Sequence, residues 1–547
     1  MRYTALLAVA LSAPALATGS PHAFVPDIAA ADFAEHVRVL ASDEFAGRDP
    51  VTPGEEKTLA YLVAHLQRLG LEPAFGDSFL QPVPFQMRRA DLARSEASIA
   101  VGGRAVKLDL RTDTVLGSDQ GKGEITVLAS PMVFVGYGIR APERGWDDFA
   151  GVDLAGKTAV FLAGEPDGVR FDGRRFTLHS RSGLKYEHAA RAGAAAALVL
   201  HDTQATGYDW KGVRLRWHDR EFALRPADRA VTPLAVQGWL DEDAGKAVFE
   251  AAGVDLAALR AAAAQPGFRA VPVGAATFSA TLRGRIGLGT SNNVVARLRG
   301  TERPDEAVLY SAHWDHLGTQ PGKSGDAIYN GALDNATGVA AVLEIAERYA
   351  RAPQRPARSV LFFFPTLEEL GLLGSAYYTR HPAMPLARTV ADINFDLVVP
   401  IGRARNYEAI GLGLSDLDAT LGPIVAARHR NLIAPPEADV DSFLRSDPLS
   451  FARAGVPVLF LRGGTETRAG VARLAGERRD TEFGEEASAY HTPDDEYDPA
   501  WDLRGVVDDL GIAYELGRVL AEGDAWPNWN ADSMFRSVRD ESRKQEP

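Results

Sequence analysis

The sequence predicts an α/β fold: a mixed, mostly parallel sheet sandwiched by helices, with a β-rich block inserted into it. Two observations carry this. From Asn292 onward, short apolar runs alternate with amphipathic helical stretches, the pattern of a sheet built from strand and helix in turn. Between about Phe85 and Arg285 the pattern changes to short β-like runs and frequent turns. A chain of 547 residues is also too long for one ordinary core and should divide into two or three domains.

Taken in order, Met1-Arg2-Tyr3, the apolar run Ala5 to Leu11 and the small residues Ala15-Leu16-Ala17 have the charge, apolar core and cleavage site of a secretory leader over 1–17. Residues 18–85 read as a helical part of the main domain: Phe33, Val37 and Leu40, then Leu59, Leu62, Leu66 and Leu69, fall at helical steps, broken at Gly47 and in the turn from Pro50 to Gly54. The inserted block is placed at 86–285, with strands at Ile125 to Leu128, Val133 to Val135, Thr158 to Leu162 and Ala196 to Leu200. Its His179, His188 and His201 have no ligand spacing and read as structural or surface residues. The main domain resumes at 286–525, with strands at Val308 to Ala312, Val360 to Phe364, Ile393 to Phe395 and Val456 to Leu461, and a last helix from about Leu503 to Ala521. The polar tail is placed at 526–547 and is expected to fray after Trp529.

Composition excludes several functions. A net charge of -14 without a basic stripe argues against nucleic acid as a partner. Beyond the leader, no apolar stretch reaches the ~20 residues of a membrane span, so no membrane partner is expected. With no cysteine, the chain has no disulfide, thiol nucleophile or thiolate metal site. Leader and composition together point to a soluble periplasmic or extracellular protein.

The chemistry concentrates after the strands of the main domain. His313, Asp334, Glu369, Asp396 and His491 are potential metal ligands, and open α/β sheets gather ligands at the carboxyl ends of their strands. In His313-Trp314-Asp315 the two polar side chains share one side of an extended segment, so Asp315 can accept the second N–H of the imidazole and fix its tautomer. His316 competes for the ligand role, but its offset suits a loop contact better. Asp334 stands at the mouth of an apolar helix, where it can cap the helix or bridge two cations about 3.5 to 4 Å apart. The remaining ligands divide into two sets around it, each with one histidine and one terminal carboxylate, a donor set that suits two Zn(II) ions, with Co(II) or Mn(II) as substitutes. Such a pair acidifies water and polarises a carbonyl, and Glu368, beside Glu369, can take the proton and return it to a leaving amine.

At these residues the chain resembles the co-catalytic di-zinc peptidases, the family of bacterial leucyl aminopeptidase and glutamate carboxypeptidase. The resemblance runs through His313-Trp314-Asp315, Gly331-Ala332-Leu333-Asp334-Asn335, Glu368-Glu369-Leu370-Gly371, Asn394-Phe395-Asp396 and Tyr490-His491-Thr492-Pro493, with Leu40-Ala41-Ser42-Asp43-Glu44-Phe45-Ala46-Gly47-Arg48 near the start. It implies one metal on His313, Asp334 and Asp396, another on Asp334, Glu369 and His491, Glu368 as the base, and a non-proline cis peptide after Asp334. Val135-Gly136-Tyr137-Gly138-Ile139, Asp153-Leu154-Ala155-Gly156-Lys157 and Ala189 to Leu200 resemble a protease-associated domain, which would overlie the site. The chain departs from many members at Ser446-Asp447-Pro448, where they carry Ser-Asp-His. The expected function is a secreted zinc aminopeptidase acting on peptides. A carboxypeptidase or dipeptidase of the same fold, with Arg445 or Arg462 as candidates to bind the substrate carboxylate, is the alternative, ahead of a glutaminyl cyclase or a non-catalytic binding homologue. Tyr490 can serve as a donor to the tetrahedral intermediate or as a packing residue.

Overall fold

The structure, a computed structural model, describes residues 27–167, 170–171, 177–217, 220–434, 441–467, 470–471 and 489–544. The leader expected at 1–17 lies outside the described residues. Among those described, no helix is long and apolar enough to cross a membrane.

The fold is α/β, as the alternating pattern predicts. Four strands form the parallel centre of the main sheet: Arg358–Phe364 and Thr389–Asn394 flank Arg303–Ser311, and Val458–Gly463 follows beyond Thr389–Asn394. Antiparallel partners close both sides, the end of Val271–Leu298 against Arg358–Phe364 and Asn406–Ile410 against Val458–Gly463. A strand buried on both faces is mostly apolar, and Arg358–Phe364, apolar from Val360 onward, shows why. Its Phe362 and Phe364 join Val308, Tyr310 and the helices Thr337–Arg351 and Arg504–Glu522 on one face. Its Leu361 and Phe363 face Tyr378, Phe451 and Trp529 on the other.

The N-terminal helices form where the spacing places them, at Ala30–Leu40 and Pro53–Arg68. Pro53 opens the second helix and the Thr52 hydroxyl caps it by accepting from the Gly54 amide, a start that proline and threonine both favour. Between them Ala46, Gly47 and Arg48 all take left-handed φ, of 48°, 67° and 50°. Gly47 is required there, because a Cβ would stand 2.5 Å from the carbonyl oxygens of Gly318 and Tyr329.

The middle block has its own apolar cores, built on a sheet in which Thr158–Leu162, Ala196–Leu200 and Val236–Leu240 run parallel. Two strands carry the chain between the blocks. Leu80–Ala90 pairs antiparallel with the middle of Val271–Leu298 from Ala90↔Gly284 to Leu80↔Val294, and the 28-residue strand has its beginning in the middle sheet and its end in the main one. Arg220–Leu224 pairs with the other edge of Leu80–Ala90.

The tail differs from the frayed segment that its polarity suggests. Trp529 is fully buried and donates to the Gly455 carbonyl. Helix Arg536–Lys544 docks through buried Arg539, which donates to the carbonyls of Leu386, Thr389 and Val390 at the start of a central strand. An arginine stem can cover apolar surface while its head satisfies carbonyls, so a charged helix packs where composition suggests solvent.

Phe362 lies against Tyr310 with ring centroids 6.2 Å apart and is wholly buried. Phe362→Ala is expected to destabilise the fold by about 3 to 5 kcal/mol, read as a fall in the urea midpoint.

Candidate active site

Three of the four central strands deliver a functional side chain just past their carboxyl ends. Arg303–Ser311 leads to His313, Arg358–Phe364 to Glu368 and Glu369, and Thr389–Asn394 to Asp396. Asp334 lies in the turn before helix Thr337–Arg351, and its peptide bond to Asn335 is cis, as the resemblance implies. Leu367, Leu397 and His491 take left-handed φ of 57°, 61° and 56°. For residues bearing a Cβ this backbone is costly, and here it recurs at the loops that aim Glu368, Asp396 and His491.

The five expected ligands meet. His313 Nε2 lies 3.3 Å from Asp334 Oδ1 and 3.6 Å from Asp396 Oδ1. On the other side of Asp334, His491 Nε2 lies 3.1 Å from Asp334 Oδ2 and 3.1 Å from Glu369 Oε2. The two oxygens of Asp334 thus face different imidazoles. Glu368 Oε2 comes within 4.0 Å of His313 Nε2. Among the described residues, the groups compact enough to share a cation are His313 with Asp334 and Asp396, and His316 with Asp334 and Glu369.

His316 is thereby drawn into the site, where the sequence reading preferred a loop contact. Its Nδ1 hydrogen-bonds Glu369 Oε1 at 2.7 Å, leaving Oε2 of the same carboxylate toward His491. The signal for it was its place in the run His313-Trp314-Asp315-His316, which puts a second imidazole in the same loop. Asp315 departs from expectation in detail. The His313 Nδ1 hydrogen bond, at 3.1 Å, goes to the main-chain carbonyl of Asp315, whereas its carboxylate Oδ1 is 3.8 Å away. That carboxylate instead accepts the amide of Glu368 at 3.2 Å. The extended segment turns its carbonyl to the imidazole and frees the side chain to fix the Glu368 loop.

Further contacts hold the loops, and sequence reasoning missed the groups that make them. Asp495, four residues past His491, accepts the amides of Leu333 and Asp334 at 2.8 and 3.1 Å. Asn335 Nδ2 donates to the Phe395 carbonyl at 3.0 Å, tying the Asp334 turn to the Asp396 loop. Tyr490 stacks on His491 with centroids 3.9 Å apart, which favours the packing role for it. Of the arginines considered for a substrate carboxylate, Arg445 is exposed and Arg462 is buried on Val458–Gly463. The middle-block histidines bond locally, His188 to the Gly138 carbonyl, His201 to the Tyr208 carbonyl and His179 to Glu143.

Crowding sets the protonation of the site. Burial pushes Glu368 well above the usual carboxylate range, and Glu369, Asp447 and Asp396 add to the rise against the pull of His313. Burial raises Glu369 as well, but His491 and the hydrogen bond from His316 outweigh it and hold this carboxyl at about 2. Two adjacent glutamates are thus driven apart, one shifted up and the other down, the separation expected of groups with different tasks. Asp334, also opposed by burial, is held well below its ordinary value by hydrogen bonds from His313 and His491. Burial alone would lower both imidazoles, but the facing carboxylates keep His313 well above its ordinary value and raise His491 to about 10. Burial pushes Asp315 up to about 8.

A set of nitrogen and oxygen donors at strand ends, with an uncommitted glutamate beside them, has the form of a metal-assisted hydrolase centre. Residues 293–513 match the profile of Peptidase family M28. The chain is 31% identical over 194 residues to leupeptin-inactivating enzyme 1 of Streptomyces exfoliatus, covering 35% of this chain and 40% of that protein. It is 32% identical over 138 residues to a probable glutamate carboxypeptidase, AMP1, of Arabidopsis thaliana, covering 24% of this chain and 18% of that one. It thus spans less than half the length of either relative. A solved aminopeptidase from Aneurinibacillus sp. strain AM-1 is 18% identical, with a TM-score of 0.45 over 91% of this chain and 95% of the other.

Without metal, His491 keeps its proton up to about 10, against 6.5 ordinarily, so its contribution to stability is complete below 6.5 and lost as pH rises through 10. A metal donor must be a neutral imidazole. Zn(II) added to stripped protein at pH 7 is therefore expected to release protons and to bind more tightly as pH rises. Calorimetry in buffers of different ionisation enthalpy measures the release, and binding without it would remove the imidazoles from the donor set.

Proposed function

We propose that this protein is an exported aminopeptidase that uses two Zn(II) ions to remove N-terminal residues from peptides. The observation that carries the proposal is Asp334 lying between two imidazoles, each with its own further carboxylate, while Glu368 at the same opening is left outside both sets. The donors fit zinc in kind, imidazole and carboxylate without thiolate, and their two sets sharing one aspartate fit a pair of ions. His313, Asp334 and Asp396 would hold one ion, and Asp334, Glu369 and His491 the other. When bound, the ions supply Lewis acidity that acidifies a water and polarises the scissile carbonyl.

The chain's own residues do the rest. Glu368, with its amide anchored on Asp315, is placed to take a proton at its carboxylate from the attacking water and to pass it to the departing amine. Its raised affinity for a proton suits that transfer. His316 orients Glu369, and the carbonyl of Asp315 fixes His313 so that Nε2 faces Asp334. Leu367, Leu370 and Leu373, around the glutamate pair, pack with Phe222 and Leu224 from the middle block. That contact is the basis for reading the middle block as an insertion that shapes substrate access.

The carboxypeptidase reading stays as the second, on the name of the Arabidopsis relative. Zinc-reconstituted protein is to be assayed on aminoacyl p-nitroanilides beside N-blocked peptides, with chelated protein as control. Chelator-sensitive cleavage of the free-amine substrates alone is the expected result, and cleavage of the N-blocked peptides alone would select the carboxypeptidase. Glu368→Ala should retain metal while turnover falls at least ~100-fold. Asp334→Ala should lose metal, and two tightly held ions in that variant would rule out the bridging role.

A further inference from the structure

Arg48 is fully buried, and among the described residues every hydrogen bond of its guanidinium goes to a main-chain carbonyl. Its Nε donates to Trp314 at 2.9 Å, between His313 and Asp315. Its Nη1 donates to Asn330 at 2.6 Å and to Leu40, the end of the first helix, at 2.8 Å. Its Nη2 donates to Gly331 at 2.8 Å, with the Asp334 carbonyl at 3.4 Å. One planar guanidinium thus spans the loop that presents His313 and the turn that presents Asp334, which are separate in sequence. From the other side, Asp495 holds the amides of Leu333 and Asp334, so that turn is gripped at its carbonyls by a cation and at its amides by an anion.

The backbone around Arg48 is shaped for this reach. Three successive left-handed residues, Ala46 to Arg48, turn the chain inward, and Gly47 leaves no room for a side chain against Gly318 and Tyr329. Left-handed φ at Ala46 and Arg48 costs stability and persists where surrounding contacts enforce it. Asp43 of the same segment accepts from Asn330 Nδ2 at 2.9 Å, a second tie to the same turn. The Asp43 to Arg48 segment is therefore attached to the ligand loops by charge-assisted bonds at both ends.

We propose that Arg48 is a positioning residue that sets the His313 loop and the Asp334 turn in their metal-binding arrangement before any ion arrives. The inference rests on the two-zinc reading. Lysine keeps the charge but lacks the planar fork needed to span several carbonyls, so Arg48→Lys separates charge from geometry.

The test uses the full-length protein, stripped and reloaded. Zinc affinity of Arg48→Lys, by competition with a chromophoric chelator, is expected to fall about 10- to 100-fold, as for loss of an orienting group behind a ligand. Its Co(II) visible spectrum is expected to differ from wild type in intensity and band position. A variant with a lowered Tm but wild-type zinc affinity and Co(II) spectrum would overturn the proposal, since Arg48 would then support the fold alone. Hydrogen exchange on metal-free wild type covers the case in which the variant does not fold: amides at 313–316 and 331–336 are expected to be protected already, and free exchange there would overturn it too. A wild type that binds no zinc would remove the two-zinc reading itself, and this inference with it, a result distinct from a wild type that binds and a variant that binds equally well.

Discussion

Asp334, which is buried, and the partly exposed Glu368, Glu369 and Asp396 bring four carboxyl groups to one opening, where repulsion between like charges is less screened than in water and each gives up part of its hydration. Left alone, such a group would open or bind protons. The rest of the site consists of what prevents that. Two imidazoles stand between the carboxylates and lend them positive charge, and burial with the neighbouring carboxylates shifts Glu368 toward its neutral form. A cation held by these residues would take the place of the imidazole protons and supply the same positive charge. The sites a metal needs and the sites repulsion would disrupt are the same atoms.

The sheet makes that concentration tolerable. The central strands are apolar on both faces, so their register is fixed by packing on two sides and their ends cannot drift apart. Polar groups behind the loops then fix what the strands leave loose. Thr366, just before the glutamate pair, donates its amide to Asn293, and Asn293 in turn donates to the Gly374 carbonyl beyond the pair. The carboxylates are thereby held on a frame whose stability does not depend on them.

Much of this was legible in the sequence because the ligands follow apolar runs that could only be buried strands. The α/β class and the placing of His313, Glu369 and Asp396 come from that pattern, the helical start comes from apolar residues at helical steps, and Asp334 and His491 were joined to the set by the motifs around them. Arg48 and Asp495 were hidden for a physical reason: their partners are main-chain carbonyls and amides, which every residue carries, so no pairing of side-chain types betrays them. Asp315 was assigned to the wrong partner for a related reason. The spacing of His313 and Asp315 says which groups are near, while the backbone decides whether carbonyl or carboxylate faces the ring. The docked tail was hidden by charge, since Arg539 is polar in composition but packs by its stem and bonds by its head.

The 28-residue strand Val271–Leu298 gives the molecule a mechanical character. The middle block is joined to the main sheet by a ladder of paired strands, Leu80–Ala90 lying along Val271–Leu298 with Arg220–Leu224 beside it. A hinge concentrates rotation in a few backbone bonds of a loop, whereas a hydrogen-bonded ribbon resists rotation at every rung and yields by distributed twist. Movement of this block relative to the strand ends would therefore be elastic, small in angle and shared along the ladder. The contact of Phe222 and Leu224 with the glutamate loop would strain with that twist, tying the deformation of one block to the geometry of the other.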